Sequence, residues 1–315
     1  MVKVLVTGGA GFIGSHIVDL LVTEGYQVAV LDNLSTGNLR NLNPKVELYK
    51  VDLTDFSGVK EVLAQYRPDY VIHHAAQVDV MTSLQDPVQD GTINILGSLN
   101  LFREAFQMGV KKVIYASSAA IYGDPGDTQP LPLSEGIPIY PLSPYGISKY
   151  TPEHYLRIAA TAAEASYAVL RYANVYGPRQ NATGEGGVVA IFSHLISQKQ
   201  PVTIYGDGEQ TRDFVYVSDV ARANLAALRA EENGIFNVST GRRVSVNELL
   251  ALLQEIAGVS TVCHHLPLRP GEILHSALDP RKAKEKLGWK AQTNFSQGLQ
   301  QTYNYFLQLV LEEGA

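Results

Sequence analysis

The sequence predicts an α/β protein: an open parallel sheet with helices on both faces, followed by a smaller C-terminal α/β lobe. Three observations point there. The first half alternates short β-branched runs with longer amphipathic stretches, the pattern of parallel strands joined by right-handed helical crossovers. A glycine-rich turn, Thr7-Gly8-Gly9-Ala10-Gly11-Phe12-Ile13-Gly14, follows the first of these runs and opens the first helix. With 315 residues, 45% apolar and 18% charged, the chain is too long for one compact core and too apolar for disorder.

The elements follow in order. Residues 3–7 read as a strand, 12–24 as a helix and 27–32 as a second strand. A strand at 46–51, a helix at 55–66 and a strand at 70–74 continue the alternation. One long helix is expected over 87–108, then a strand at 112–117, a helix at 144–165 and a strand at 168–172. Pro152 falls inside the 144–165 helix, so its first turn restarts there or the helix bends. From Ala173 the texture changes. Residues 176–187, rich in Gly, Asn, Pro and Arg, read as a long functional loop. Shorter elements are expected at 188–198, 203–205, 214–217, 220–230, 236–238 and 246–257, then 279–287 and a closing helix at 296–311. The boundary is placed at 175. It divides a dinucleotide-binding domain, 1–175, from a second lobe, 176–315, with room for later segments to return and pack on the first.

Bulk properties exclude several classes. A net charge of −6 disfavours nucleic acid as a partner. The single cysteine, Cys263, rules out an intrachain disulfide and fits a cytoplasmic protein. The opening residues form a strand-like run and not a signal peptide, and no stretch is long and apolar enough to cross a bilayer.

The motifs carry the chemistry. Gly8, Gly11 and Gly14 let the backbone turn tightly and approach a pyrophosphate, and the helix N-terminus adds amides and partial positive charge. Asp32, at the end of the second strand, suits the hydroxyls of a ribose and repels a 2′-phosphate, which favours NAD over NADP. Asp52 either meets an adenine amino group or caps the turn after it. His73 and His74 point to opposite faces of a strand and make a poor metal pair; core packing suits them better, and no metal site is expected. Ala75 and Ala76 are small enough for close approach of a cofactor.

Ser118 ends an apolar run, and Tyr145 and Lys149 share one helix face at a spacing of i and i+4. Alone, each is a cap, a packed aromatic and a surface cation. Behind a dinucleotide turn they form a hydroxyl, a phenol and an ammonium suited to hydride-transfer chemistry. A phenol with pKa ~10 is ionised about once in a thousand molecules at neutral pH. An ammonium ~4 Å away favours the phenolate by ~4 kcal/mol at an effective dielectric of ~20, or roughly three pKa units. Tyr145 is therefore expected to be a general base tuned by Lys149. Arg212, Arg269 and Glu272 in the second lobe either clamp a diphosphate or form ordinary salt bridges.

Together, Thr7 to Gly14, Asp32, Ser118 and Tyr145-x-x-x-Lys149 resemble the extended short-chain dehydrogenase/reductase superfamily, with its Rossmann-like sheet. His73-His74-Ala75-Ala76-Gln77-Val78, Arg171-Tyr172-Ala173-Asn174, Arg212-Asp213-Phe214 and Arg269-Pro270-Gly271-Glu272 are similar to its nucleotide-sugar epimerase branch. The resemblance implies that Gly8, Gly11, Phe12, Ile13 and Gly14 cradle the NAD pyrophosphate and that Asp32 and Asn33 hold the adenosine ribose. It implies that Asp52 and Leu53 flank adenine, that Ala75, Ala76, Asn94 and Tyr172 line the cofactor, and that Lys149 also reaches the nicotinamide ribose. Asn174 and Arg212 are then ligands of UDP phosphates, Tyr205 stacks on uracil, and Arg269 and Glu272 contact the diphosphate and uridine ribose.

The implied activity is interconversion of UDP-galactose and UDP-glucose through a transient 4-keto sugar, in a homodimer built on the 87–108 and 144–165 helices. Departures narrow this. Related dehydratases carry an Asp-Glu pair where Ala119 and Ala120 stand, and glucuronate epimerases an Arg where Met81 stands. Some members have Lys in place of Val78, which leaves one cofactor contact fewer here. Ser276 stands where narrow-specificity members place Tyr, so UDP-N-acetylhexosamines are expected to fit. An epimerase acting on another nucleotide sugar, such as UDP-glucuronate, is the first alternative. A non-catalytic dinucleotide sensor is the second, disfavoured because both Tyr145 and Lys149 are present.

Overall fold

Alternation along each strand buries both faces of the central sheet. The computed structural model describes residues 1–126, 129–182, 186–268 and 273–313. Its elements run β1 (Lys3–Thr7), α1 (Phe12–Thr23), β2 (Gln27–Leu31), β3 (Glu47–Tyr49), α2 (Phe56–Tyr66), β4 (Tyr70–His73), α3 (Val80–Gln85), α4 (Pro87–Gly91) and α5 (Ser98–Gln107). Then come β5 (Lys112–Ser118), α6 (Pro144–Ala162), β6 (Ser166–Tyr172), β7 (Asn174–Tyr176), α7 (Val188–Ser197), β8 (Val202–Tyr205), β9 (Thr211–Arg212) and β10 (Phe214–Tyr216). The chain closes with α8 (Val217–Arg229), β11 (Gly234–Val238), β12 (Val244–Ser245), α9 (Val246–Ala257), β13 (Cys263–Leu266), α10 (Arg281–Leu287) and α11 (Phe295–Glu313).

Seven strands form the main sheet in the order β3-β2-β1-β4-β5-β6-β11, every pair parallel. Val4, Val6, Val28, Val30, Ile72 and Ile114 bury one face in a cluster with Ile17 and Leu21 of α1 and Val220 of α8. Leu5, Leu31, Val71, Val113 and Val169 bury the other with Leu63 of α2, Leu101 of α5 and Leu156 of α6. Period two with both sides apolar is the signature of a covered parallel sheet.

Residues 176–315 do not stand apart from this sheet. β11 pairs with β6 as its seventh strand, and α8 packs beside α1. The rest gathers around a third core, in which Phe214, Tyr216, Leu249, Phe295 and Leu299 meet.

The helix expected over 87–108 is interrupted. A π-helical segment, Thr92–Gly97, lies between α4 and α5. Thr92 Oγ1 and Ser98 Oγ bond back to the carbonyls of Val88 and Asn94, at 2.8 and 2.5 Å, which loosens the regular ladder. Before it, α3 fills a stretch to which the sequence assigns no element, with Asp79 capping Thr82 N at 2.6 Å. α6 runs unbroken through Pro152.

Candidate active site

The carboxyl ends of the parallel strands bring the expected residues together, as open α/β sheets do. After β1 the chain turns at Gly8 with φ +68°. A Cβ there would lie 2.6 Å from Ala75 N, and a Cβ on Gly14 would lie 2.1 Å from Gly8 O. Only glycine permits these approaches, which seat α1 against the loop after β4. Gly11 supplies no side-chain cap to α1, so Phe12 and Ile13 open a helix whose first amides face outward from a positive dipole end. This cradle fits a pyrophosphate.

Asp32 is buried beside it. Its Oδ2 accepts from Ala10 N at 3.0 Å and its Oδ1 from Leu34 N at 2.8 Å. Each oxygen keeps a lone pair for a ribose hydroxyl. Asn33 Nδ2 donates to Asp52 Oδ2 at 2.6 Å, and Asp52 Oδ1 accepts from Thr54 N and Oγ1. Burial works against the Asp52 carboxylate, but the bonds from Thr54 and Asn33 outweigh it and hold its pKa below the usual range. Leu53 is buried next to it, and a Cβ on Gly97 would meet its side chain at 2.7 Å.

A buried relay fixes Ala75. Ser98 Oγ gives its proton to Asn94 O, so it accepts from His73 Nε2 at 2.9 Å. His73 therefore carries its proton on Nε2, and its Nδ1 accepts from Thr7 Oγ1 at 2.7 Å. The Thr7 oxygen in turn accepts from His74 N and Ala75 N at 3.2 and 3.1 Å. Burial, aided by Lys149 and His74, holds the His73 pKa well below its ordinary value, so the ring stays neutral. The sequence had left His73 as packing; its role is to hold the backbone of the cradle.

Two residues expected to line a cofactor are occupied internally. Asn94 shares its two N–H bonds among Gln77 O, Asp90 Oδ1 and Ser148 Oγ, and its Oδ1 accepts from Gln77 N. It braces the loop after Ala76 against α4 and α6, with its N–H groups engaged within the protein. Tyr172 donates to His74 Nε2 at 2.9 Å, accepts from Asn224 Nδ2 at 2.8 Å and stacks on the His74 ring.

Ser118, Tyr145 and Lys149 converge. Ser118 ends β5, and its Oγ accepts from Ala120 N at 3.1 Å. Tyr145 sits in the first turn of α6, where Tyr145 N donates to Ser83 Oγ, and its phenol hydrogen-bonds to the Ser118 side chain. Lys149 is buried one turn on, its Nζ 4.7 Å from the centre of the Tyr115 ring, and Tyr115 OH donates to Lys149 O.

The electrostatics depart from expectation. Burial pushes the Tyr145 phenol above its ordinary value, against the Ser118 bond that lowers it; the Asp90 carboxylate adds to the rise. Burial also brings Lys149 down to about 8, against the pull of Glu153 and Asp90. The ammonium rests on the Tyr115 ring, and burial is the largest influence on the phenol. Desolvation dominates both groups, and the simple pairing argument omitted it.

Asn174, Arg212 and Ser276 meet on neighbouring backbone beyond β6. Asn174 N donates to Asp213 O and Ser276 N to Thr211 O. Arg212 Nη1 donates to Thr211 O and Leu274 O. The Asp213 carboxylate is filled by Thr240 N and Oγ1, Gly241 N and Leu278 N. Tyr205 ends β8. Arg269 and Glu272 lie outside the described residues.

Comparison with known proteins follows this geometry. The NAD dependent epimerase/dehydratase family matches residues 4–239. A UDP-glucose 4-epimerase of Mycolicibacterium smegmatis is 39% identical over 311 residues, covering 96% of this chain and 98% of its own. The crystal structure of a Thermotoga maritima UDP-glucose 4-epimerase with UDP-glucose matches with a TM-score of 0.95 at 46% identity, over 98% of this chain and 99% of that one. The Thermus thermophilus UDP-glucose 4-epimerase in complex with NAD matches with a TM-score of 0.91 at 44% identity, over 96% and 98%.

Proposed function

Because the chain belongs to the NAD dependent epimerase/dehydratase family, we propose that it interconverts UDP-galactose and UDP-glucose at C4 with NAD held throughout turnover. One observation carries the reading: the Ser118–Tyr145 pair and buried Lys149 stand at the strand ends, next to a glycine cradle that no side chain larger than hydrogen fits.

Gly8, Gly11, Gly14 and the first turn of α1 would hold the pyrophosphate, with Asp32 and Asn33 on the adenosine ribose, Asp52 and Leu53 at adenine, and Ala75, Ala76 and Lys149 at the nicotinamide half. When bound, NAD supplies a reversible acceptor for the hydrogen on the sugar C4. Tyr145 takes the C4 hydroxyl proton and later returns it. Ser118, whose oxygen already accepts from Ala120 N, orients that hydroxyl through its remaining lone pair and proton. Lys149 supplies positive charge while the proton is off the phenol. Asn174 and Arg212 grip UDP, with Tyr205 on uracil, so the hexose turns while the nucleotide stays anchored.

Small Ser276 extends the range to UDP-N-acetylhexosamines, and exposed Met81 gives a sugar carboxylate no cation. The lone Cys263 fits action in the cytoplasm, and among the described residues no helix is long and apolar enough to cross a membrane. A homodimer through the 87–108 segment and α6 is supported by exposed Leu96, Tyr155 and Ile158; sedimentation as a monomer would end that part.

The test is purified protein with UDP-galactose and no added cofactor, followed by denaturation and identification of any released nucleotide. UDP-glucose as product and NAD released support the reading. Turnover of UDP-glucuronate alone reassigns the sugar. No turnover of any UDP-hexose overturns it.

A further inference from the structure

The catalytic side chains rest on a polar cluster that takes no part in the proton transfer above. Glu153 lies one turn beyond Lys149 on α6, and the two are 2% and 4% exposed. Glu153 Oε1 accepts from Ser117 Oγ at 2.5 Å and from Arg171 Nε at 3.0 Å; Oε2 accepts from Arg171 Nη2 at 2.7 Å. Arg171 Nη1 donates to Tyr122 OH at 2.9 Å, which donates to Asn237 Oδ1 at 2.7 Å.

Three of its members are tied to site residues along the chain. Ser117 precedes Ser118, Arg171 precedes Tyr172, and Tyr122 ends the short 3₁₀ turn that Ser118 caps. Stability does not account for such a pair, because apolar replacements of buried ion pairs are often neutral or stabilising.

We propose that Glu153 is a positioning residue of the reaction: with Arg171 fixed opposite, it registers α6 against β5 and β6 so that Tyr145 meets Ser118, and it sets a carboxylate one turn from Lys149. This rests on the epimerase reading. The groups around Lys149 are Glu153 and Tyr145 from α6, Asp90 from α4, Tyr115 from β5, His73 at the end of β4 and His74 just after it. Those around Glu153 are Ser117 and Tyr115 from β5, Arg171 from β6 and Tyr122. Burial drives both histidines far below their ordinary pKa, so they add no charge. Of the two carboxylates, Glu153 acts on Lys149 more strongly than Asp90.

Two variants test this. Glu153→Gln keeps the shape and removes the charge. Glu153→Leu with Arg171→Met removes the pair and leaves an apolar contact. For each, four quantities are measured: Tm, kcat and KM with UDP-galactose, and the Lys149 titration midpoint by NMR of ¹³C-lysine protein, assigned with Lys149→Arg. The expected result is a folded double variant, kcat down about tenfold in both with KM within about twofold, and the midpoint lower by about one pH unit. A folded double variant with wild-type kcat and an unmoved midpoint overturns the proposal. Unfolding of both variants also overturns it, since the pair would then serve stability. If wild type does not turn over UDP-galactose, the sugar assignment fails, and the midpoint alone decides the role of Glu153.

Discussion

Replacing Thr7 with Val keeps the shape of a fully buried side chain and deletes one hydroxyl. Two groups lose their partner at once, His73 Nδ1 and Ala75 N, while His74 N keeps its second bond to Thr7 O. A net hydrogen bond contributes ~1 kcal/mol, and each buried group left unpaired costs ~1–3 kcal/mol. The methyl gained on burial returns ~0.8 kcal/mol. The expected loss is about 3 kcal/mol. Unfolding entropy of ~2.1 cal/mol/K per residue gives about 0.7 kcal/mol/K for this chain, so Tm falls by about 4–5 °C. The effect reaches the site, because the Ala75 amide is the atom against which Gly8 turns. Calorimetry reads the first part, and nucleotide released on denaturation reads the second, expected to drop at least severalfold. A fall in Tm below 1 °C with full nucleotide retention would refute the relay and the His73 tautomer derived from it.

Three further outcomes are expected. Tyr145→Phe lowers turnover by ~10³ or more while UDP binding, measured by titration calorimetry, stays within about twofold; retained turnover would remove the phenol from its role as base. Gly14→Ala puts a Cβ 2.1 Å from Gly8 O, so α1 must shift by ~1 Å to restore ordinary contact. Purified protein should then carry little nucleotide, and wild-type retention would show the cradle is not where the pyrophosphate sits. Lys149→Met removes a titration. The folded value of about 8 lies below the ordinary 10.5, so between them the unfolded chain holds a proton that the folded chain has released. Stability of the wild type relative to Lys149→Met therefore rises with pH, by about 3 kcal/mol from pH 8 to 10.5. Denaturant curves at the two pH values check the sign.

What the sequence made legible was local. The glycine turn, the strand alternation and the Tyr–Lys spacing lie within single elements, and these elements stand where expected, to within a few residues. The hidden part was long-range. His73 finds Thr7 across 66 positions, and Tyr122 finds Asn237 across 115. β11 joins the sheet from the far half because its short run, Gly234–Val238, matches the open edge of β6, which no local pattern reveals. The π-helical segment at Thr92–Gly97 was missed because the hydroxyls that loosen it, on Thr92 and Ser98, are unremarkable in a helix. At Tyr145 and Lys149 the residues were readable and their ionisation was not, because burial depends on everything packed around them.

That burial decides which carboxylate helps the reaction. The productive state has the phenol ionised and the lysine charged; the competing state has the same proton count with phenol and amine neutral. Burial raises the phenol above its ordinary value and brings the lysine down to about 8, so the productive state lies higher than the neutral pair. Whatever narrows the gap speeds the chemistry. Asp90 favours the charged lysine but opposes the ionised phenol, so its two effects offset. Glu153 lies one turn from Lys149 and two turns from Tyr145 on α6, so it favours the charged lysine more than it opposes the phenolate and narrows the gap. Asp90→Asn therefore serves as the contrast. Both bonds to Asp90, from Gln77 Nε2 and Asn94 Nδ2, land on Oδ1, and the amide oxygen of Asn keeps them. Asp90→Asn should lower the Lys149 midpoint yet leave kcat within about threefold, whereas Glu153→Gln lowers both. Equal losses of kcat in the two variants would mean that carboxylate charge acts on the lysine alone and that the phenol's ionisation does not limit the reaction.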